Sequence, residues 1–282
     1  MKKIYFLLAA ICPHLISLAQ TDSTGNNQNN GSNRDTIVIG NMIIIKKGGN
    51  RRNSDSSRTV KVSHNRKNNS CTSTSWGIVD LGFNNFNDNT NYASAAVQQF
   101  APGANEDWFN LRNGKSINVN IWFFMQRLNL VSRVINLKYG LGLELNNYSY
   151  EDNIRFTENP TMVYKDITNH YNKVKLAADY LTVPLMLNFN FTPNNSNHKS
   201  FGLSVGASAG YLYASRQKFV TREAGKQKVK DDFDLRPYKI SYIAELQAGP
   251  IQFYGSLATK SMFEKGLDQT PYNIGIRLSS RN

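Results

Sequence analysis

Five charged residues stand out because each falls on the polar side of a segment in which polar and apolar residues alternate. These residues are Asp80, Lys138, Glu144, Glu245 and Arg277. Carboxylates beside a lysine or an arginine can transfer protons, but they can equally neutralise one another inside a protein, where a charge without a partner is costly. We predict an interior network of acids and bases with a structural role, and no catalytic cluster.

The histidines offer a second route to catalysis, because some small membrane barrels hydrolyse lipids with a serine, a histidine and an acid. The four histidines are His14, His64, His170 and His198, and none falls in an alternating segment. Only His170 belongs to a loop that we expect at the outer surface, near Asp166 and Ser149. A surface histidine is usually just solvated, so we predict no catalytic residue and no enzyme. An outer-membrane lipid hydrolase is the alternative.

Metal and cofactor sites are not indicated by the remaining residues. Cys71 has no neighbouring set of ligands, and the acidic run 231–234 lies beside Lys226, Lys228 and Lys230. This favours a mixed-charge loop over a calcium site. No glycine-rich stretch is followed by a predicted helix, as a phosphate-binding loop requires. We therefore predict no cofactor and no metal.

The segments that carry the five charges have two unlike faces. In residues 201–213, for example, apolar side chains alternate with glycine and serine. A strand separates two such sets because its side chains point alternately to opposite faces, whereas a helix does not. The eight alternating segments are 76–87, 116–130, 137–146, 173–191, 201–213, 238–248, 251–260 and 272–279.

Segment 173–191 changes phase along its length. Its apolar residues lie at even positions up to Ala178 and at odd positions from Leu181 onward. A bulge near Tyr180 would explain the change, and so would an extension of the strand above the membrane. Pro184 has no backbone donor and is awkward in a closed ladder of strands.

The connections between segments alternate in length. Long polar connections follow the first, third, fifth and seventh segments, and short ones follow the second, fourth and sixth. This rhythm is typical of an outer-membrane barrel with short periplasmic turns, long external loops and both termini in the periplasm. Strands in hydrocarbon must close into a ring with apolar side chains toward lipid. We therefore predict an all-β fold, an eight-stranded antiparallel up-and-down transmembrane β-barrel preceded by a disordered N-terminal tail.

The polar faces then point into a lumen that side chains fill, which leaves no open channel. Tyrosines near the strand ends are expected to form a girdle at the membrane surfaces. These are Tyr148, Tyr150, Tyr211, Tyr213, Tyr242, Tyr254 and Tyr272. A secreted, lipocalin-like ligand-binding barrel is the alternative. In that protein the apolar faces point inward, and Glu144 and Arg277 meet water.

The N-terminus predicts export. Residues 1–19 contain Lys2 and Lys3, an apolar run and small residues before a cleavage site after Ala19, as in a signal peptide. A lipoprotein acceptor at Cys12 is less favoured, because the bulky Ile11 precedes it.

The chain divides into three predicted regions. They are a signal peptide at 1–19, a disordered basic segment at 20–75 with a short β-prone stretch at 35–45, and a barrel at 76–282. The formal net charge of +13 favours outer-membrane lipid or an anionic polymer as partner, and export makes nucleic acid improbable. A protein of the cell envelope is a further candidate partner.

Several short stretches carry a resemblance. They are WGIVDLGFNNF at 76–86, LRNGKS at 111–116, YLTVPL at 180–185, DFDLRPY at 232–238 and MFEKG at 262–266. Over 76–279 the chain resembles the outer membrane β-barrel domain family common in Bacteroidetes, and 35–45 is similar to a segment that precedes such barrels. The resemblance implies a barrel in the outer membrane and little about activity. We expect an integral barrel whose surface loops or periplasmic arm bind a partner.

Overall fold

The computed structural model describes residues 34–39, 42–47, 71–169, 171–193, 200–221 and 225–278. The chain forms two compact units, 1–68 and 69–282. In the first unit, β1 (Arg34–Ile39) and β2 (Met42–Lys47) pair antiparallel with Ile39 opposite Met42. The two strands overlap the stretch 35–45 that was expected to be β-prone and extend slightly beyond it at both ends. The predicted signal peptide and most of the predicted disordered segment lie outside the described residues.

The second unit consists almost entirely of strands. They are β3 (Thr72–Asp88), β4 (Ile117–Val131), β5 (Ile135–Tyr150), β6 (Ile154–Phe156), β7 (Val163–Lys165), β8 (Tyr171–Asn190), β9 (Phe201–Thr221), β10 (Gly225–Val229), β11 (Tyr238–Ala248), β12 (Ile251–Ala258) and β13 (Gln269–Leu278). Eight of them form an antiparallel ring in the order β3-β4-β5-β8-β9-β11-β12-β13, which closes between β13 and β3. The predicted eight-stranded antiparallel barrel is confirmed. Its first strand begins at Thr72, a few residues before the predicted boundary at Trp76.

Short turns and long connections alternate around the ring. At the short-turn end, Ser132 and Arg133 adopt positive φ values of 45° and 61° in the turn between β4 and β5. The connections at the other end, called here the long-loop end, contain α1 (Ala95–Phe100), a 3-10 helix (Glu106–Phe109), the β6–β7 hairpin and β10. Among the described residues, no helix has the length and apolar character needed to cross a bilayer.

The outer face of the barrel is an apolar band. Its exposed side chains include Leu81, Phe83, Ile117, Val183, Leu185, Leu187, Val205, Ile240, Leu246, Phe253, Ile274 and Ile276. By contrast, Glu144 and Arg277 are each only 6% exposed. The lipocalin-like alternative required the opposite arrangement, and the structure contradicts it.

The tyrosines predicted for the girdle divide into two groups. Tyr211, Tyr213, Tyr242 and Tyr272 are exposed on the outer face, but Tyr148, Tyr150 and Tyr254 are buried inside. The prediction was wrong for these three. These three tyrosines have even numbers, like the inward-facing residues Glu144 and Gln252 on the same strands. Position along the strand therefore predicted their burial better than residue type did.

Strand β8 has two parts with opposite polarity. From Leu181 to Phe189 its odd-numbered apolar residues face outward, whereas Val174, Leu176 and Ala178 are buried on the inner face. Even-numbered residues face inward throughout, since the register with β5 runs unbroken from Tyr150–Val174 to Gly142–Thr182. The phase change in the sequence therefore marks the point where β8 extends beyond the apolar band. This was one of the two explanations offered from the sequence.

A bulge accompanies this extension, but its extra residue lies on the neighbouring strand. Asp179 pairs with Ala214 and Tyr180 with Leu212, which leaves Tyr213 of β9 without a partner on β8. Pro184 lies within β8, opposite Ser208 of β9. The ladder between β5 and β8 is interrupted beside it, between the pairs Tyr139–Leu185 and Gly142–Thr182.

Candidate functional site in the lumen and cap

Arg277 is the centre of the charged lumen. Its Nε lies 2.6 Å from Oδ1 of Asp80 and its Nη2 lies 2.9 Å from Oδ2, which makes a bidentate pair. The two residues are direct partners across β13 and β3. On its other side, Nη1 of Arg277 lies 2.6 Å from Oε1 of Glu245. One guanidinium therefore serves two carboxylates from two different strands.

The network continues to the opposite wall. Lys138 on β5 forms an ion pair with Glu245, and Gln252 Nε2 donates a hydrogen bond of 2.8 Å to the same carboxylate. Trp122 Nε1 donates to Asp80 Oδ2 at 2.6 Å. Four of the five residues chosen from the sequence thus lie in one connected cluster.

The fifth residue, Glu144, pairs instead with Lys239, which sequence reasoning missed. Lys239 Nζ also lies 4.5 Å from the ring centroid of Tyr180, in a cation–π contact. The signal for Lys239 was present, because it shares the odd-numbered face of segment 238–248 with Glu245. With Lys239 included, the luminal acids Asp80, Glu144 and Glu245 are matched by three bases.

A chain of asparagines connects the two parts of the network. Asn118 Nδ2 donates to Asn146 Oδ1 at 2.9 Å, and Asn146 Nδ2 donates to Glu144 at 3.2 Å. Toward the other cluster, Asn118 Nδ2 also lies 3.1 Å from Asn120 Oδ1, and Asn120 Nδ2 lies 3.4 Å from Asp80. Amides suit this position because each both donates and accepts, and so satisfies a neighbour of either kind.

Little space remains between these side chains. A cavity of about 30 Å³ lies among Asp80, Trp122, Glu144 and Arg277. Closely apposed strands leave no room for larger residues, since an added Cβ at Gly206 would lie 2.1 Å from the backbone oxygen of Leu185. At the short-turn end lies a polar recess of about 150 Å³. Arg127, Lys138 and Arg277 are among the residues that line it.

The long-loop end is closed by an apolar cluster, which we call the cap. Its buried side chains from the connections are Val97, Phe100, Phe109, Leu111, Ile154, Phe156, Val163, Phe233, Leu235, Met262, Phe263 and Leu267. They rest on inward residues of the strand extensions, including Leu176 and Phe219. All four long connections contribute, so they form one core and not separate loops.

Phe156 joins three of these connections. Its ring stacks on Phe263 at a centroid distance of 5.9 Å and meets the edge of Phe233 at 5.8 Å. Phe233 is fully buried although its φ is +50°, a region that costs a side chain of this size free energy. The acidic run 231–234 is therefore a turn that inserts a phenylalanine into the cap.

The motifs that carried the family resemblance form a second junction in the cap. Leu235 and Phe263 make an isolated β-bridge, and the backbone N–H of Arg236 donates to Met262 O at 2.8 Å. Gly266 has φ +77°, and a Cβ there would lie 2.4 Å from Phe100 Cγ. Glycine is thus required by both the turn and its neighbour.

A polar cleft of about 650 Å³ lies on one side of the cap. Its lining residues with polar side chains are Asn85, Asn87, Asp88, Asn89, Glu106, Asn110, Asn113 and Glu151. Asp88 already accepts hydrogen bonds from Tyr92 and Gln269, whereas Glu106 and Glu151 form no ion pair with any residue in the described ranges. Burial and the Asp88 carboxylate raise the pKa of Tyr92, which keeps its hydroxyl protonated as a donor.

The residues considered for lipid hydrolysis do not form a catalytic arrangement within the part of the chain that the structure describes. All four histidines lie outside the described residues. Ser149 is buried, and its backbone N–H donates to Ser116 Oγ at 2.9 Å. Partial burial raises the pKa of Asp166, but hydrogen bonds from Asn169, Tyr171 and Thr168 outweigh this and hold the pKa at about 2.

Comparison with known proteins supports the assignment made from the fold. Residues 73–266 match a family model described as an outer membrane protein beta-barrel domain, which covers well over half of the chain. No curated protein shows significant similarity to this sequence.

Proposed function

Since the chain belongs to the outer membrane protein beta-barrel domain family, and is therefore an integral barrel of the outer membrane, we propose that it is a non-conducting, non-enzymatic barrel that presents a rigid binding surface. One observation carries this proposal: the four long connections share a single apolar core above a lumen of paired charges. The partner is a protein of the cell envelope.

The filled lumen supports the absence of a pore. Conduction needs a continuous aqueous path. The recess of about 150 Å³ at the short-turn end meets the charge network, where the cavity of about 30 Å³ has room for about one water molecule. Moving a luminal side chain aside would also leave a buried charge without its partner. The barrel interior therefore acts as a fixed support for the cap.

The alternation of short turns and long connections supports the orientation. In outer-membrane barrels the short turns lie in the periplasm and the long loops lie outside. We place the cap at the cell surface and both termini in the periplasm. Biotinylation of intact cells through a cysteine at Lys165, with Cys71 replaced by serine, is expected to label the protein. Labelling of a cysteine at Arg133 and not of one at Lys165 would contradict this orientation.

The polar cleft is the proposed binding surface. Two of its carboxylates, Glu106 and Glu151, form no ion pair within the part of the chain that the structure describes, and they lie among amide side chains that both donate and accept hydrogen bonds. This chemistry suits a basic segment of a protein and disfavours an anionic polymer. The apolar core beneath holds the cleft in place, which lowers the conformational entropy lost on binding.

Two experiments test the proposal. In planar bilayers the purified protein is expected to show no discrete conductance steps, and reproducible channels would rule out a closed barrel. In cells, a photo-crosslinking amino acid at Asn113 is expected to give one discrete adduct. The Glu106→Gln/Glu151→Gln variant should abolish that adduct. A crosslinker at Thr161, which is outside the cleft, is the control, and the same adduct from both positions would argue against a cleft-specific partner.

A further inference from the structure

The barrel wall is much lower on one side than on the other. Strands β11, β12 and β13 have 11, 8 and 10 residues, whereas β8 and β9 have 20 and 21. On the low side the buried cap residues Leu235 and Met262 follow closely on the strand ends at Tyr238 and Ala258. A cavity of about 240 Å³ opens there, between the ends of β11 and β12 and the cap segments 236–237 and 259–264.

Two of the residues that line this cavity lie on the outer face of the barrel. Tyr238 and Ile240 line it, and they are 71% and 57% exposed on the outer face of β11. Tyr238 packs against Tyr211 at a centroid distance of 5.5 Å. Exposed tyrosines at the edge of an apolar band mark the level of lipid headgroups. The cavity thus lies where hydrocarbon gives way to polar headgroups.

Arg236 and Lys260 are two cations that line the cavity. Within the described ranges, neither Arg236 nor Lys260 forms an ion pair, while Arg236 Nε donates to Ser261 O at 3.0 Å and so orients the guanidinium. Lys239 on the inner wall is already paired with Glu144. Glu264 is the one carboxylate among the described residues that line the cavity. The unpaired charge is therefore net positive.

We propose that this cavity binds the phosphate of a phosphorylated glycolipid in the outer leaflet, between Arg236 and Lys260. A planar guanidinium binds phosphate oxygens in a fixed geometry, and a nearby ammonium adds a point charge. The acyl chains lie along the exposed apolar side chains of Ile240 and Leu257. The choice of leaflet rests on the proposed orientation of the barrel. The site itself rests on the residues that line the cavity at the ends of β11 and β12.

The test measures lipid binding to the folded full-length protein in detergent micelles by native mass spectrometry, with a lipid A preparation as probe. The variant is Arg236→Gln/Lys260→Gln. The matched control, Lys226→Gln/Lys228→Gln, removes the same charge from β10, away from the cavity. We expect one bound glycolipid on the wild type and the control, and at least tenfold weaker binding to the variant. Equal binding by the variant and the control would overturn the proposal.

Three further arms identify the ligand. Enzymatically dephosphorylated lipid A is expected to bind at least tenfold more weakly, and equal binding would overturn phosphate recognition. Inorganic phosphate at the same concentration is expected not to displace the glycolipid, and full displacement would show a site for a free anion. Tighter binding of phosphatidylglycerol than of lipid A would overturn the choice of leaflet.

Two controls separate this proposal from folding defects and from the proposed function. Every variant must show heat-modifiable gel mobility. If the double variant fails to fold, Lys260→Gln alone is expected to weaken binding at least threefold. This side chain is exposed and forms no ion pair with the residues that the structure describes, so its replacement should not affect folding. Unchanged binding would again overturn the site. Conductance and crosslinking at Asn113 do not involve the cavity, so either proposal can fail while the other stands.

Discussion

The two parts of β8 face the interior with side chains of opposite character. Near the short-turn end the inner face carries Thr182 and Asn188, and the outer face carries leucine and valine. Near the long-loop end Val174 and Leu176 face inward, while Lys173 and Lys175 lie on the outer face. The backbone ladder is the same in both parts, so the difference follows from the surroundings.

The comparison shows that the face of a strand on which the apolar side chains lie depends on whether lipid or water surrounds the barrel there. Where lipid surrounds the wall, apolar side chains are most stable outside and polar groups must find partners within. Where water surrounds it, the usual preference for an apolar interior returns. This barrel therefore stacks a lumen of ion pairs and a hydrophobic cap within one wall, and the two should respond differently to substitution.

The largest expected effect is in the lumen. Arg277→Met leaves the carboxylates of Asp80 and Glu245 without their shared partner, and breaking a buried pair in this way costs about 3–5 kcal/mol. Urea unfolding in detergent micelles, followed by tryptophan fluorescence, measures the loss. Arg127→Met is the control, since Arg127 is exposed and lines the recess at the short-turn end of the lumen. A loss of less than 1 kcal/mol in Arg277→Met would break the comparison.

A slightly smaller and more local effect is expected in the cap. Phe156→Ala removes the ring that joins three connections, at a cost of about 3 kcal/mol to the cap alone. Limited proteolysis should cut the long connections faster, while the heat-modifiable mobility of the barrel stays unchanged. Loss of that mobility would mean that cap and barrel are one cooperative unit.

The outer face of β8 sharpens the comparison further. Leu185→Lys places a charge in the apolar band and is expected to cost about 2 kcal/mol in lipid vesicles. Lys173→Gln, on the extension of the same strand, should change the unfolding free energy by less than about 0.5 kcal/mol. Similar effects for the two variants would place both parts of the strand in the same surroundings.

The smallest effect is expected from pH. The pKa of Asp166 in the folded protein is about 2, below its ordinary value. The stability that its carboxylate gives to the second long connection is therefore fully present above pH 4 and is lost as the pH falls through 2. Asp166→Asn should loosen the second long connection by about 1 kcal/mol at pH 7. Amide hydrogen exchange of residues 152–169 measures this. Equal exchange in wild type and variant at pH 7 would refute it.

The sequence predicted the barrel well because its evidence is local. Alternation along each strand requires only neighbouring residues, and it placed Asp80, Lys138, Glu144, Glu245 and Arg277 on inner faces. Lys239 was missed because segment 238–248 alternates weakly, although its parity matches that of Glu245. Tyr148, Tyr150 and Tyr254 were misplaced because residue type was given more weight than position.

The cap could not be predicted from the same evidence. Phe156, Phe233 and Phe263 each stand almost alone in polar sequence, and their burial depends on three connections that meet only after the ring has closed. The unequal wall heights were predicted only in part: the phase change in segment 173–191 indicated the extension of β8, whereas segment 201–213 gave no sign that β9 continues to Thr221. Both features are set by contacts between residues far apart in the chain.

The ion pair between Arg277 and Asp80 lies across the junction of the last and first strands of the ring. Until these strands meet, water can hydrate the charges of Arg277 and Asp80 separately. A shift of one residue at this junction would turn an inward side chain out toward lipid. The salt bridge therefore favours the native register at ring closure, because in that register both charges face the lumen and neutralise each other.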